Sequence, residues 1–326
     1  MKNFFIGFHN TNQSPCVVNK HLLANLPRDR YMTHYNVHGI KRRWDCFVKI
    51  LTADKIIISG IFLSRSEVKL IRLLGKKFVY LMHGSYFMET GHHHPTESLL
   101  LEYADRIISV SRVHADMIRS EFPQYTDKVV EWFNGIDWDE IDGIRLATDS
   151  NERKGDKIVL FGGGRHMKGN LAVCQAVEQL NHEKNLNIRV EVYGETRDDD
   201  FSHEIAAIEC VDFKPLLPRD KINYELAKAD LFVANSSFDT FNLAVIDAIG
   251  VGCSVLFSRH VGAKDIIPGK TDNDIIADVN DIEEIKSKIE KVLIDPNNER
   301  LYHSIDKDGT SWASRARSLT GIVDSI

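Results

Sequence analysis

Two stretches of this chain group side chains in a way that can do chemistry. The first is FGGGRHMKGN, residues 161–170, where an apolar run ends at Phe161, three glycines follow, and Arg165 and Lys168 precede a helix-length segment. Glycines such as Gly163 and Gly164 let a backbone approach a ligand closely, and two cations at a strand exit suit a diphosphate. A plain tight turn uses the same glycines, and the spacing is not the GxxxxGK[ST] of a Walker loop. The second stretch is SSFDTFNLAVIDAIGVG, residues 236–252, with Asp239 in a loop and Asp247 eight positions later in a helix. The neighbours Ala244, Val245, Ile246, Ala248 and Ile249 are apolar nearly all round, so that helix is expected to be buried and Asp247 to need a partner or a ligand. Two ribose hydroxyls would satisfy it, and on that reading Asp247→Asn weakens nucleotide binding while leaving the fold intact. The helix start near residues 241–244 offers backbone amides to an anion.

Residues of this kind need strand ends to hold them. Short β-branched runs alternate with helix-length amphipathic segments along the whole chain, the pattern of parallel sheets covered on both faces. Strands are expected at residues 4–8, 32–37, 56–59, 78–82, 106–110 and 129–133, and in the second half at 157–161, 188–193, 208–213, 230–234 and 253–257. Ligands of such sheets lie at the carboxyl ends of the strands. At 326 residues the chain is long for one core, so two domains are expected. The NGID turn and the polar stretch to Asp156 mark the boundary, giving domains 1–150 and 151–310. In residues 311–326, Trp312, Ala316, Leu319 and Val323 share one helical face, so this segment either closes the second domain or reaches back to the first.

With these elements in place, a resemblance emerges. YLMHGSYF, YADRIISVSRVHADMI, WFNGID, GGGRHMKGN, LAKADLFVANSS, the Asp239 and Asp247 pair, VGCSVLFSRHVGAKDII and the late Trp312 follow one another as in the group 1 retaining glycosyltransferases. The chain resembles their glycogen-synthase-like branch (family 4), with the GT-B fold of two Rossmann-like domains facing a central cleft, the first on the acceptor side and the second binding the nucleotide sugar. The resemblance implies that Arg165 and Lys168 hold the donor diphosphate and that Asp247 holds the ribose. It places Asp239 and His83 near the donor sugar, and the amides of Thr240, Phe241, Asn242 and Leu243 on the sugar and phosphates. Gly194 and the stretch Lys214, Pro215, Leu216 surround the base. Both family glutamates of the E-x7-E pattern are aspartates here, and Thr240 and Asn242 replace the usual glycines.

The implied activity is hexosyl transfer with retention from a nucleotide sugar, UDP- or GDP-linked, to a glycan or lipid-linked acceptor in surface polysaccharide synthesis. Neither a cofactor nor a metal is expected. The other reading is an inactive homologue that binds a nucleotide sugar or supports a partner enzyme.

Composition narrows the setting. No apolar run nears the roughly 20 residues of a membrane span, and residues 1–8 are too short for a secretory signal, so a cytoplasmic protein is expected. Five scattered cysteines without a CxxC argue against disulfides and zinc, and three consecutive histidines, His92 to His94, cannot easily converge on one ion. Residues 1–80 contain 14 Lys or Arg against four acids, whereas the whole chain sums to -6. That basic end suits either an ordinary solvated surface or peripheral contact with anionic lipid at the inner membrane face, and it lacks the aromatic interleaving of a nucleic-acid site.

Overall fold

The computed structural model describes residues 2–9, 15–34, 40–84, 86–148 and 156–326, without the side chains of residues 40, 88, 89 and 220. The end of the expected linker (149–155), most of the first loop (9–14) and the end of the strand expected at 32–37 lie outside the described residues, and residues 138–147 of the expected linker are helical instead. The chain forms two compact units, Met1–Ile136 with Asp308–Ile326, and Asp137–Lys307.

The first unit runs β1 (Asn3–Gly7), α1 (Cys16–Asn25), β2 (Tyr31–Thr33), α2 (Ile40–Thr52), β3 (Lys55–Ser59), α3 (Arg65–Leu73), β4 (Lys77–Leu81), α4 (Tyr86–Thr90), α5 (Pro95–Tyr103), β5 (Arg106–Ser109), α6 (Arg112–Glu121) and β6 (Val129–Glu131). Its strands form one parallel sheet in the order β2-β1-β3-β4-β5-β6. Runs such as FFI, III and FVYL are buried along their whole length, as strands covered on both faces must be. Serines start the flanking helices: Ser64 forms a capping box with Glu67 on α3, and Ser111 accepts from the His114 amide on α6.

The second unit runs α7 (Trp138–Ala147), β7 (Lys157–Phe161), α8 (Asn170–Lys184), β8 (Arg189–Tyr193), α9 (Asp200–Ala206), β9 (Val211–Lys214), α10 (Arg219–Ala227), β10 (Leu231–Ala234), α11 (Leu243–Gly250), β11 (Ser254–Ser258), β12 (Ile275–Ile276), α12 (Ile282–Ile294) and α13 (Asn298–Ser304). The strand order is β12-β11-β10-β7-β8-β9, again all parallel. The order reverses between β7 and β10, and the loops leaving these two strands, residues 162–169 and 235–242, are the two motifs singled out above. Neither α9 nor the two-residue β12 was anticipated, and α11 starts at Leu243, with residues 241 and 242 in the loop before it.

The division between units falls at Ile136/Asp137, ahead of residue 150, because α7 packs on α10 and α11. Ile141 of α7 sits so close to Gly250 that a Cβ there would lie 2.2 Å from its Cγ2. After α14 (Lys307–Thr310), α15 (Trp312–Asp324) returns to the first unit, against α1 and β3. Its stripe Trp312, Ala316, Leu319, Val323 is buried. Lys55 Nζ donates to the Val323 and Asp324 carbonyls at 3.0 and 2.9 Å, placing a cation on the negative end of the helix. Trp132 Nε1 donates to the Arg315 carbonyl, and Arg315 Nε to the Phe133 carbonyl, both at 3.1 Å.

Gly135 lies flat under Trp312, and a Cβ at that position would stand 2.7 Å from the Trp312 Cα. Backbone cannot yield as a side chain can, so Gly135→Ala should cost about 1–3 kcal/mol. A urea titration would show this as a lowered midpoint with an unchanged slope.

Candidate functional site

At the exit of β7 the chain turns at once. Gly162 and Gly163 have φ of +99° and +57°, a region that costs other residues strain. The amides of Gly162 and Gly163 both donate to the Tyr193 carbonyl, that of Gly164 to Glu195 and that of Arg165 to Gly162. A Cβ on Gly163 or Gly164 would collide with Glu195 or Ser202. These glycines therefore pack the loop against its own domain. With the amides of Gly162, Gly163 and Gly164 engaged inside the domain, the cationic donors of this loop are side chains.

Those side chains are Arg165 and Lys168. With Gly162, Asn170, Phe232, Ser236 and Asn242 among their neighbours, they line a cavity of about 60 Å³ between the β7 and β10 exits. Lys168 Nζ lies 2.6 Å from Asp239 Oδ2, with both side chains mostly shielded from water. Arg165 is exposed, its Nε donating to the Gly162 carbonyl at 3.2 Å. The structure thus brings together Arg165, Lys168, Asp239 and Asn242 from two loops.

Asp239 does not cap the helix that follows. Its amide donates to His260 and its carbonyl accepts from Gly262, which fixes the loop beside Val261. The helix α11 begins from Asn242 in a left-handed conformation, with no side chain capping it. Its first amides, those of Leu243 and Ala244, have no intrahelical acceptor, and an uncapped N-terminus favours an anion. Phe241 is buried beneath this turn, and its carbonyl accepts from Ala263. Gly194 and Lys214 adjoin one another, the Gly194 amide donating to the Lys214 carbonyl at 3.1 Å. Beyond them Pro215 and Leu216 are exposed.

Asp247 is buried, as its apolar neighbours require, and it has a partner that the sequence reading missed. Arg219, the first residue of α10, donates from Nη2 to Asp247 Oδ1 at 2.7 Å. Burial pushes the Asp247 carboxyl up and Arg219 opposes that shift, with the charge of Asp137 adding to it. The Nε and Nη1 atoms of Arg219 are buried without a hydrogen-bond partner among the described residues. The one available signal was an arginine opening a helix after PLLP, and charge at a helix start is common on any surface.

His83 belongs to the first unit, at the exit of β4. Its Nε2 lies 2.7 Å from Ser59 Oγ, which donates to Asn19 Oδ1 at 2.6 Å, while Asn19 Nδ2 donates to the Phe8 carbonyl at 2.6 Å. A hydroxyl has one proton, and Asn19 receives it, so His83 Nε2 carries the ring proton and Nδ1 is the acceptor nitrogen. Burial lowers the His83 pKa to about 4 and that of the fully buried His114 to about 3, the latter also through His83. His94 caps α5 by accepting from the Thr96 amide, and His93 stacks on Phe87. Among the described residues no three His, Cys, Asp or Glu side chains are grouped to hold a metal ion, and no helix is long and apolar enough to cross a membrane.

Against this geometry the family model described as "Glycosyl transferases group 1" matches residues 145–312, half of the chain. The chain belongs to that family. A curated relative, an uncharacterized glycosyltransferase of Methanocaldococcus jannaschii, is 25% identical over 196 residues, which is 56% of this chain and 50% of the relative. The chain thus matches about half the length of that relative. Among solved structures, Anabaena HepE in complex with UDP and glucose superposes with a TM-score of 0.69 at 14% identity over 100% of both chains. An α,α-trehalose-phosphate synthase (UDP-forming) from Burkholderia xenovorans gives 0.72 at 10% identity, over 99% of this chain and 100% of the other. The fold of this group 1 member is the GT-B type, built from two Rossmann-like units.

Two measurements test the site. Asp247→Asn keeps volume but removes the charge opposite a shielded guanidinium, so the expectation of an intact fold is revised. Breaking a buried pair from one side costs about 3–5 kcal/mol, and both Asp247→Asn and Arg219→Gln should lower the melting temperature, their double variant by less than the sum. Additive losses would show that the two do not act as a pair. The histidines supply a pH test. Their folded pKa values lie below the unfolded value near 6.5, so their contribution is complete above about pH 6.5 and is lost as pH falls toward 4. Stability followed by chemical denaturation should decline over that window, and His83→Gln should flatten the decline.

Proposed function

We propose that this chain transfers a hexosyl group from a UDP-linked sugar to a glycan or lipid-linked acceptor, with retention of anomeric configuration. The observation that carries the reading is the Lys168–Asp239 pair beside the uncapped start of α11, at the point where the strand order of the second unit reverses. Solved structures of two kinds support the finer terms. HepE is solved with UDP and with UDP-glucose, and the Escherichia coli trehalose structure with UDP-2-fluoro glucose. Work on another trehalose-6-phosphate synthase neighbour, with a TM-score of 0.71 at 12% identity, concerns glycosyl transfer with retention.

In this reaction a diphosphate displaces the Asp239 carboxylate from Lys168, because it brings more negative charge to the same ammonium. Lys168, Arg165 and the α11 amides then stabilise charge that grows on the leaving group. Asp239, released, faces the donor sugar. The departing phosphate takes the acceptor proton, so no separate base, metal or cofactor is required. His83, neutral and held in one tautomer, serves as a hydrogen-bonding group for a sugar hydroxyl. Asp247, anchored by Arg219, accepts from the ribose, and Leu216 covers the base. The setting we propose is the cytoplasm, in surface polysaccharide synthesis. A second reading, a binding homologue without turnover, draws on the observation that both aspartates replacing the family glutamates are held by bases.

A thermal-shift panel of UDP, GDP and ADP tests the donor: the accepted nucleotide at a hundred times its dissociation constant stabilises by about 2.7 kcal/mol. Lys168→Ala should lower kcat with a UDP-sugar by about two orders of magnitude or more, and it should also lower the melting temperature, because it leaves the shielded Asp239 carboxylate unpaired. Wild-type turnover at saturating donor would remove Lys168 from the reaction. Nucleotide binding without turnover of any donor would favour the second reading.

A further inference from the structure

Helix α2 has two apolar faces. Cys46, Ile50 and, just past the helix, Ala53 are buried in the core of the first unit. On the opposite side Trp44, Phe47, Val48 and Leu51 are exposed, Trp44 at 68%. At 100° per residue these four fall within an arc of about 100°, a continuous ridge. The Trp44 and Phe47 rings lie 5.7 Å apart. A surface helix normally turns charge outward there.

The ridge is flanked by cations. Lys41 and Arg43, both exposed, stand at its two sides, and Arg42 reaches back over the Phe62 ring at 4.7 Å. The turn after α3 adds to the same surface: Lys76 Nζ donates to the Leu51 and Ala53 carbonyls at 2.9 and 2.6 Å. That ties the exposed Leu73 and Leu74, the latter preceding Gly75, to the C-terminal end of α2. Arg65, Lys69, Arg72 and Lys77 are exposed on or beside α3.

We infer that this face docks on an anionic lipid surface, with Trp44, Phe47, Val48 and Leu51 entering the interface and the surrounding Lys and Arg side chains meeting the headgroups. The charge pattern selects that occupant. Residues 1–80 sum to +10 in a chain of net charge -6, so one region is attracted to, and the remainder repelled by, a negative plane. An apolar ridge on a single helix with basic borders is the arrangement of helices that lie in a bilayer interface, and Trp prefers that depth. A protein partner, by contrast, would meet an interface core depleted of lysine and built around a recess or a flat patch. The inference rests on the first unit alone and not on the proposed donor chemistry.

The test uses the full chain and vesicles of phosphatidylcholine, with or without phosphatidylglycerol. Of the four tryptophans, Trp132, Trp138 and Trp312 are buried, so Trp44 reports on the ridge. Co-sedimentation with the anionic vesicles is expected, with a blue shift in emission and quenching by acyl-brominated lipid. Trp44→Ser combined with Leu51→Ser should weaken binding by at least about tenfold, remove the quenching and leave the melting temperature unchanged, because both side chains are exposed. Lys41→Ala and Arg43→Ala should each weaken it about fivefold. No sedimentation with anionic vesicles would overturn the inference. So would binding that the serine variant retains in full, or self-association that needs the ridge and occurs without lipid. The nucleotide thermal shift, measured on the same variants, stands or falls separately.

Discussion

Parallel strands cannot be joined by hairpins, and every return path must cross a face of the sheet. That constraint buries both faces, which is why β3 and β4 carry the uninterrupted apolar runs III and FVYL, and it collects all strand exits along one edge. The polar atoms of either unit therefore have one place to gather. In the second unit that place holds the cavity, Lys168 and Asp239; in the first it holds the chain Phe8, Asn19, Ser59 and His83.

At the second unit's edge the acids are not left to solvent. Asp239 is held by Lys168 and Asp247 by Arg219, so neither of these carboxylates is shielded without a cation. Such pairs contribute little net stability, because desolvation offsets much of their attraction. Their value is positional: each carboxylate oxygen is fixed where a competing ligand must meet it. The glycine loop follows the same logic, since its amides are engaged with Tyr193, Glu195 and Gly162 and the turn is held by its own domain.

Much of this was legible in the sequence, and the limits have physical causes. Continuous β-branched runs located most strands, and glycines followed by cations marked the β7 exit correctly. β12 escaped because two residues carry no period, and its pairing with β11 alone defines it. The boundary at Ile136 escaped because α7 owes its allegiance to packing against Gly250, a contact across more than a hundred residues. Arg219 was missed for a related reason: it meets Asp247 only after α10 and α11 are brought together. The loop glycines could be placed at a turn, whereas which way their amides point depends on neighbours from β8. Likewise the periodicity of α2 shows two apolar stripes, and only the assembled sheet decides which one is covered.

The return of α15 to the first unit bears on the order of assembly. Asp137–Lys307 is continuous in the chain and can complete its sheet and core from its own residues, whereas the first unit needs Asp308–Ile326 to cover α1 and β3. During synthesis the strands and helices before Ile136 are therefore made well ahead of α15, and until it is made Trp132 and Lys55 lack the partners that it supplies. The second unit can be finished first although it is made second, and the first unit is completed by a helix that follows it in the chain.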